Sequence, residues 1–203
     1  MTSMLRKQLW PAIGMTFVLC VITGLIYPGV VTALAQALFP REANGSLVTV
    51  NGRIVGSELI GQTFTRSEYF HPRPSAAGSG YDATASGGTN RGPTDAKLAD
   101  TLIAQAIDSV VKNDGAVKGS IPSDMVTSSG SGLDPDISPA NARLQVPRVA
   151  RARGVPDATV AAVLARHILG RQFGFFGEPR VNVLLLNVAL DSAFGAPKPV
   201  PDK

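Results

Sequence analysis

From Gln8 to Pro40 no side chain carries a charge. A helix needs about 20 mostly apolar residues to cross the hydrocarbon core of a bilayer, and the run from Leu9 to Phe39 supplies them, with Trp10 at one edge and Tyr27 further along. The pattern predicts a transmembrane anchor over 9–39. Pro28 ends or kinks that helix, since proline lacks a backbone donor and its ring clashes with the preceding turn. After residue 40 the periodicity changes. Apolar and polar positions alternate over 41–65 around Asn51-Gly52, a dipeptide that tolerates the positive dihedrals of a tight hairpin, so Val48, Val50, Ile54 and Val55 predict a strand pair. Residues 69–93 are dense in Gly, Ser, Pro, Thr and Asn and predict loop. Thr94 fits a helix N-cap, and Leu98, Leu102, Ile103, Ile107, Val110 and Val111 keep helical spacing up to the Asp114-Gly115 stop.

The stretch 128–139, SSGSGLDPDISP, predicts a second loop, and Ser138-Pro139 places a cap before a proline at the first helical position. A helix from Ala140 should kink or restart at Pro147 before Gly154, and another should run over 157–169 to Gly170. The apolar run 181–186, broken only by Asn182, predicts a buried strand, and the Pro-rich tail 196–203 predicts disorder. The sum is an α+β domain over 40–195 anchored by one N-terminal transmembrane helix.

Charge sets the orientation. Arg6 and Lys7 precede the span, while Arg41 and Glu42 after it offset each other, so the positive-inside rule puts residues 1–8 in the cytoplasm and the domain outside. The competing reading is a cleaved secretory signal. Ala33-Leu34-Ala35 has the small-x-small pattern of a cleavage site, but the apolar stretch exceeds the usual ~7–15-residue signal core. Along the span Ala12, Thr16, Cys20 and Gly24 recur every fourth position, and a small face lets another membrane helix approach closely. Small residues are also common in any membrane helix.

Composition narrows the chemistry. The chain has 19 Lys and Arg, of which Arg6 and Lys7 lie before the span, against 15 Asp and Glu, a near balance that makes no case for nucleic acid. Cys20 is the only cysteine, so the outer domain has no disulfide. With His71 and His167 as the only histidines, a zinc site of ordinary ligand count is not expected. Nor does the sequence assemble a Ser-His-Asp set or an apolar acid–base pair, so the chain is not expected to be a catalyst by itself.

Four ordered stretches carry a family resemblance: YFHPRPSA (69–76), SGGTNRGPT (86–94), DMVTSSGSGLDPDISP (124–139) and GEPRVNVLLLN (177–187). With the single N-terminal span, they resemble the C subunits of Kdp-type high-affinity potassium-transporting ATPases. The resemblance implies a bacterial inner-membrane complex in which a channel-like subunit selects potassium and a P-type ATPase subunit hydrolyses ATP. Membrane lipid completes its surroundings. The C subunit is then a non-catalytic accessory, described as a catalytic chaperone that raises the ATP affinity of the catalytic subunit. ATP would then be reached through the complex, with no cofactor held firmly by this chain.

Three groups of residues are candidates for contact. Ser86, Gly87 and Gly88 are similar to the serine-glycine-glycine core of the ATP-sandwiching signature of ABC transporters, where backbone amides hold phosphate, so a loop over 86–90 contacting nucleotide directly is the alternative function. The chain lacks a Walker lysine frame, and a glycine-rich turn feeding the next helix explains the same residues. Asp134 and Asp136 flank Pro135 and offer carboxylates to a hard cation or shape a turn. His71 and Arg73 form a cluster able to clasp a partner's carboxylate or a lipid headgroup. Arg148, Arg151 and Arg153 are expected to be a solvated basic face, and Arg166, His167 and Arg171 to complement a helix dipole.

Overall fold

The computed structural model describes residues 2–92 and 94–197. The chain divides into two units, the first ending at Leu47 and the second starting at Val48. In the first, α1 (Thr2–Val21) continues through a π-helical turn (Ile22–Ile26) into α2 (Tyr27–Leu38). Within the helical span Arg6–Leu38 the most apolar 18 residues reach a mean hydropathy of 2.2 and none of them is buried. Pro28 neither ends the helix nor forces a break. Its missing amide would leave the Gly24 carbonyl without a partner, and the turn before it widens instead, with Tyr27 N–H bonded to Ile22 O, five residues back. A short turn of helix, α3 (Pro40–Ala43), follows.

The predicted hairpin follows, β1 (Leu47–Val50), which begins on the last residue of the first unit, and β2 (Arg53–Ser57). Asn51 and Gly52 take φ of 51° and 77°, the two positive dihedrals that a type I′ turn demands. Residues 69–93 carry no regular element among those described. The next helix begins with a widened stretch, Lys97–Ile103, and continues as α4 (Ala104–Asp114), closed by Gly115 at φ 69°. Its cap is Asp95, one residue after the expected Thr94: Asp95 Oδ1 accepts from Leu98 N at 3.2 Å.

Helix α5 (Pro139–Arg153) is capped by Ser138, whose hydroxyl accepts from Asn141 N at 3.0 Å. The helix passes Pro147 without the expected restart. Pro147 sits on the exposed side, where water can satisfy the carbonyl it leaves over. Helix α6 (Asp157–Arg166) stops short of the expected residue 169, because Ile168 and Leu169 form β4 and pair with Val181 and Arg180. The largest departure is at 181–186. Only β5 (Arg180–Asn182) is strand, and α7 (Val183–Phe194) takes the rest, started by Asn182, whose side chain accepts from Leu185 N at 3.1 Å. A residue that seemed to interrupt a strand is the helix cap. Of the tail expected to be disordered, residues 198–203 lie outside the described residues.

The sheet of the second unit has order β3-β5-β4, with β3 (Asp136–Ile137) antiparallel to β5 through Asp136↔Asn182 and Ile137↔Val181. Helices α5, α6 and α7 pack one face each into the core beside it. Ala142, Val146, Val149 and Ala150 of α5, Val160, Val163 and Leu164 of α6, and Val183, Leu186 and Leu190 of α7 form the core, with Phe70 inserted from the loop. Full burial of one such large side chain contributes roughly 1.5–3 kcal/mol.

Candidate partner-docking surface

The loop 69–93 puts only Phe70 and Ala77 among the buried apolar residues, and polar side chains hold the backbone around them. Phe70 N donates to Asn187 Oδ1 at 2.8 Å, and Asn187 Nδ2 returns a bond to Phe70 O at 3.0 Å. Gln145 does the same for His71, accepting from its N at 2.7 Å and donating to its O at 3.0 Å. Two amide side chains thus replace the neighbouring strand that an extended segment would otherwise need. Arg148 donates to the carbonyls of Ser67 and Tyr69 at 2.8 and 2.9 Å and pairs with Asp114 at 2.6 Å, both side chains 6 % exposed. Arg153 donates to Glu68 O at 2.7 Å and pairs with Asp191 at 2.8 Å, with its guanidinium 5.2 Å from the centre of the Tyr69 ring. The expectation of a solvated basic face therefore fails for Arg148 and Arg153. It holds for Arg151, which is exposed.

The two Gly- and Pro-rich loops are bound to each other. Gly87 N donates to Ser131 O at 2.8 Å, and Ser86 Oγ donates to the same carbonyl at 3.0 Å. Ser75 Oγ donates to Gly132 O at 2.6 Å and accepts from Tyr81 N at 2.8 Å. Gly132 has φ 67°, and a Cβ there would lie 2.6 Å from Gly87 O and 2.7 Å from Ala77 N, so only glycine fits. Asp124, which the sequence pattern did not single out, accepts from Ser138 N, Ser138 Oγ and Asn141 Nδ2 at 2.7–3.0 Å. It ties the second loop to the start of α5.

Among the candidates, Arg73 and Asp134 meet: Arg73 Nη1 is 3.0 Å from Asp134 Oδ2. Asp134 and Asp136 do not converge on a shared point. Asp134 Oδ1 accepts from Asp136 N at 3.0 Å, and Asp136 Oδ2 pairs with Arg180 Nε at 3.1 Å. Burial raises the Asp136 carboxyl above its ordinary value, with Arg180 opposing. His71 is held below its ordinary value by burial and by the nearby Arg148 cation, and its Nε2 lies 3.0 Å from Arg66 O. Burial pushes the Tyr81 phenol up to about 12 while its hydroxyl donates to Arg73 O. Among the described residues no group of three or more His, Cys, Asp or Glu could hold a metal ion. The cavity between α4 and the loop, walled by His71, Arg73, Tyr81, Asp114, Asn141 and Gln145, has about 240 Å³, below the ~300–1,000 Å³ of ordinary ligand pockets. Ser86, Gly87 and Gly88 are not among its walls. In the first unit Ala12, Thr16 and Cys20 lie on α1 and Gly24 in the widened turn, all exposed.

Sequence reasoning missed Gln145, Asn187 and Asp124, read Arg148 as part of a solvated face and read Asp114 as no more than a helix stop. The available signal was a polar residue inside an apolar helical run, as Asn187 is in VLLLNVAL and Gln145 in RLQVPRV, because such a residue is buried only with partners.

A long apolar helix joined to an α+β domain is the architecture of a single-pass membrane-anchored protein. The chain belongs to the family described as KdpC, K+-transporting ATPase, c chain, which matches residues 9–192. It is 63% identical over 189 residues to the potassium-transporting ATPase KdpC subunit of Gemmatimonas aurantiaca, covering 93% of this chain and 94% of that one. To the KdpC subunits of Myxococcus xanthus and Koribacter versatilis it is 56% and 50% identical, covering 90% and 96% of this chain and 85% and 100% of theirs. Membership makes it a non-catalytic subunit of a membrane-bound P-type potassium-transporting ATPase complex, in partnership with the other subunits.

Proposed function

We propose that this subunit acts by docking: the helix face of Ala12, Thr16, Cys20 and Gly24 packs on partner membrane helices, and the domain, on the extracytoplasmic side, caps the outer face of the channel-like potassium-binding subunit. The surface is the one built from loops 69–93 and 128–139, with Arg73 and Asp134 at its centre. Stabilising one state of the pump then raises the ATP affinity of the P-type catalytic subunit by linkage, without nucleotide touching this chain. The observation that carries the reading is the mutual locking of the two loops. A surface organised before binding loses little entropy on docking. Direct nucleotide contact through Ser86, Gly87 and Gly88 is less favoured because the Gly87 N–H, which a phosphate would need, is already given to Ser131 O.

The test is thiol labelling of Ser131→Cys in a Cys20→Ser background, in intact cells and in inverted membrane vesicles. Labelling only from outside agrees with the docking reading. Labelling from the cytoplasmic face would overturn the orientation and bring nucleotide contact forward.

A further inference from the structure

Between β4 and β5 the chain leaves the sheet at Gly170 and returns at Arg180. Gln172 and Phe176 exchange both backbone bonds at 2.9 Å, and Phe173 and Gly174 form the tip. Phe173, Phe175 and Phe176 are 87, 64 and 57 % exposed, whereas Phe70 is fully buried and Phe64 and Phe194 pack against the core. The rings of Phe175 and Phe176 meet at a tilt of 38° with centroids 4.2 Å apart. Phe173 also holds φ at 51°, the left-handed region that a bulky side chain enters only at a cost. The fold therefore maintains a strained backbone in order to show an aromatic ring to solvent, a pairing that points to function.

We infer that this hairpin is a docking knob that seats in an uncharged apolar pocket on a sister subunit of the same complex. The inference rests on the accessory-subunit reading above and adds a second contact to it. Two observations select a protein pocket over the bilayer. At the neck, Arg171 Nη2 lies 2.8 and 2.7 Å from the two oxygens of Glu178, so the pair carries no net charge to attract anionic headgroups. The Gln172–Phe176 bridge fixes the backbone that carries the rings and Phe175 and Phe176 hold each other, an order that a fluid bilayer does not require. A rigid aromatic cluster with a neutral rim matches the core of a protein–protein contact.

The test places a reporter thiol at Gln172→Cys, which keeps all three rings, in the Cys20→Ser background. Maleimide labelling of this chain, resolved by mass, is compared between the full chain alone in nanodiscs and the assembled complex in the same nanodiscs. Docking predicts fast labelling of the chain alone and about tenfold slower labelling in the complex, as expected for a site in a desolvated interface core. It also predicts that Phe173→Asn weakens co-purification of the sister subunits while the chain stays folded. Equal labelling in both preparations, with the complex intact, overturns the knob and leaves the accessory reading standing. Slow labelling in the chain alone assigns the hairpin to lipid or to a second copy and also overturns it. If the unmodified chain does not co-purify with the sister subunits, the accessory reading falls and this inference falls with it.

Discussion

Phe70 and Phe173 both sit in irregular segments, yet one is fully buried and the other is 87 % exposed. Phe70 is drawn into the core between α5 and α7 because Asn187 takes over both of its backbone polar groups and Gln145 does so for the next residue. Without such partners a buried loop would strand its amides and carbonyls. No helix offers the segment around Phe173 that service. Among the described residues its backbone pairs with itself, through Gln172 and Phe176, and its rings remain outside. A loop's burial in this protein is decided by which polar side chains reach it, and hydrophobicity alone does not predict it.

The sharpest way to break the clamped region is Arg148→Met. The change strands the nearly buried Asp114 carboxylate and the carbonyls of Ser67 and Tyr69, and should cost about 3–5 kcal/mol in chemical denaturation of the full chain in detergent. Arg151→Ala, three residues along on the exposed side, should stay within about 0.5 kcal/mol. An Arg148 variant as stable as Arg151→Ala would refute the clamp.

A smaller effect is expected at the junction of the two loops. Gly132→Ala places a Cβ against Gly87 O and Ala77 N at a left-handed φ and should cost about 1–3 kcal/mol, seen as faster proteolysis within 69–93. Gly130→Ala, with open space around it, should change little.

The pH dependence sharpens the same region. His71 is depressed below its ordinary value of 6.5, so the unfolded chain binds this proton more readily than the folded one. The contribution of neutral His71 is complete above that value and is lost as the pH falls through the folded one. Denaturation midpoints of the native chain should therefore drop more steeply below pH 6.5 than those of His71→Gln, and parallel curves would remove His71 from the account.

The least effect on stability belongs to the exposed region, and its sign is reversed. Phe173→Asn relieves a left-handed aromatic and should stabilise the isolated chain by up to about 1 kcal/mol, measured by denaturant midpoint. A loss of stability would mean that the ring is packed after all.

Much of the scaffold was legible in the residues. The uncharged span announces the apolar helix, Asn51-Gly52 the hairpin, Ser138-Pro139 the start of α5, and Gly115 and Gly154 the ends of α4 and α5. The site was legible only in outline. Loops 69–93 and 128–139 stand out by composition, but their locking depends on Gly87, Ser131 and Gly132 meeting across more than forty residues of chain. The run 181–186 was mistaken for strand because apolar periodicity over so few residues does not separate a buried helix from a buried strand. Asn182 carried the cap signal, and the extension of the apolar run to Phe194 gave it weight.

By itself the sequence determined the membrane helix, the caps and the turns, since each follows from local backbone preference or from the transfer of one continuous segment into lipid. Tertiary structure alone decided that Arg148 and Arg153 are buried and Phe173 is not. The reason is that Asp114 and Asp191, which make the burial of those cations tolerable, come from other helices, and desolvation is settled by what a fold brings together.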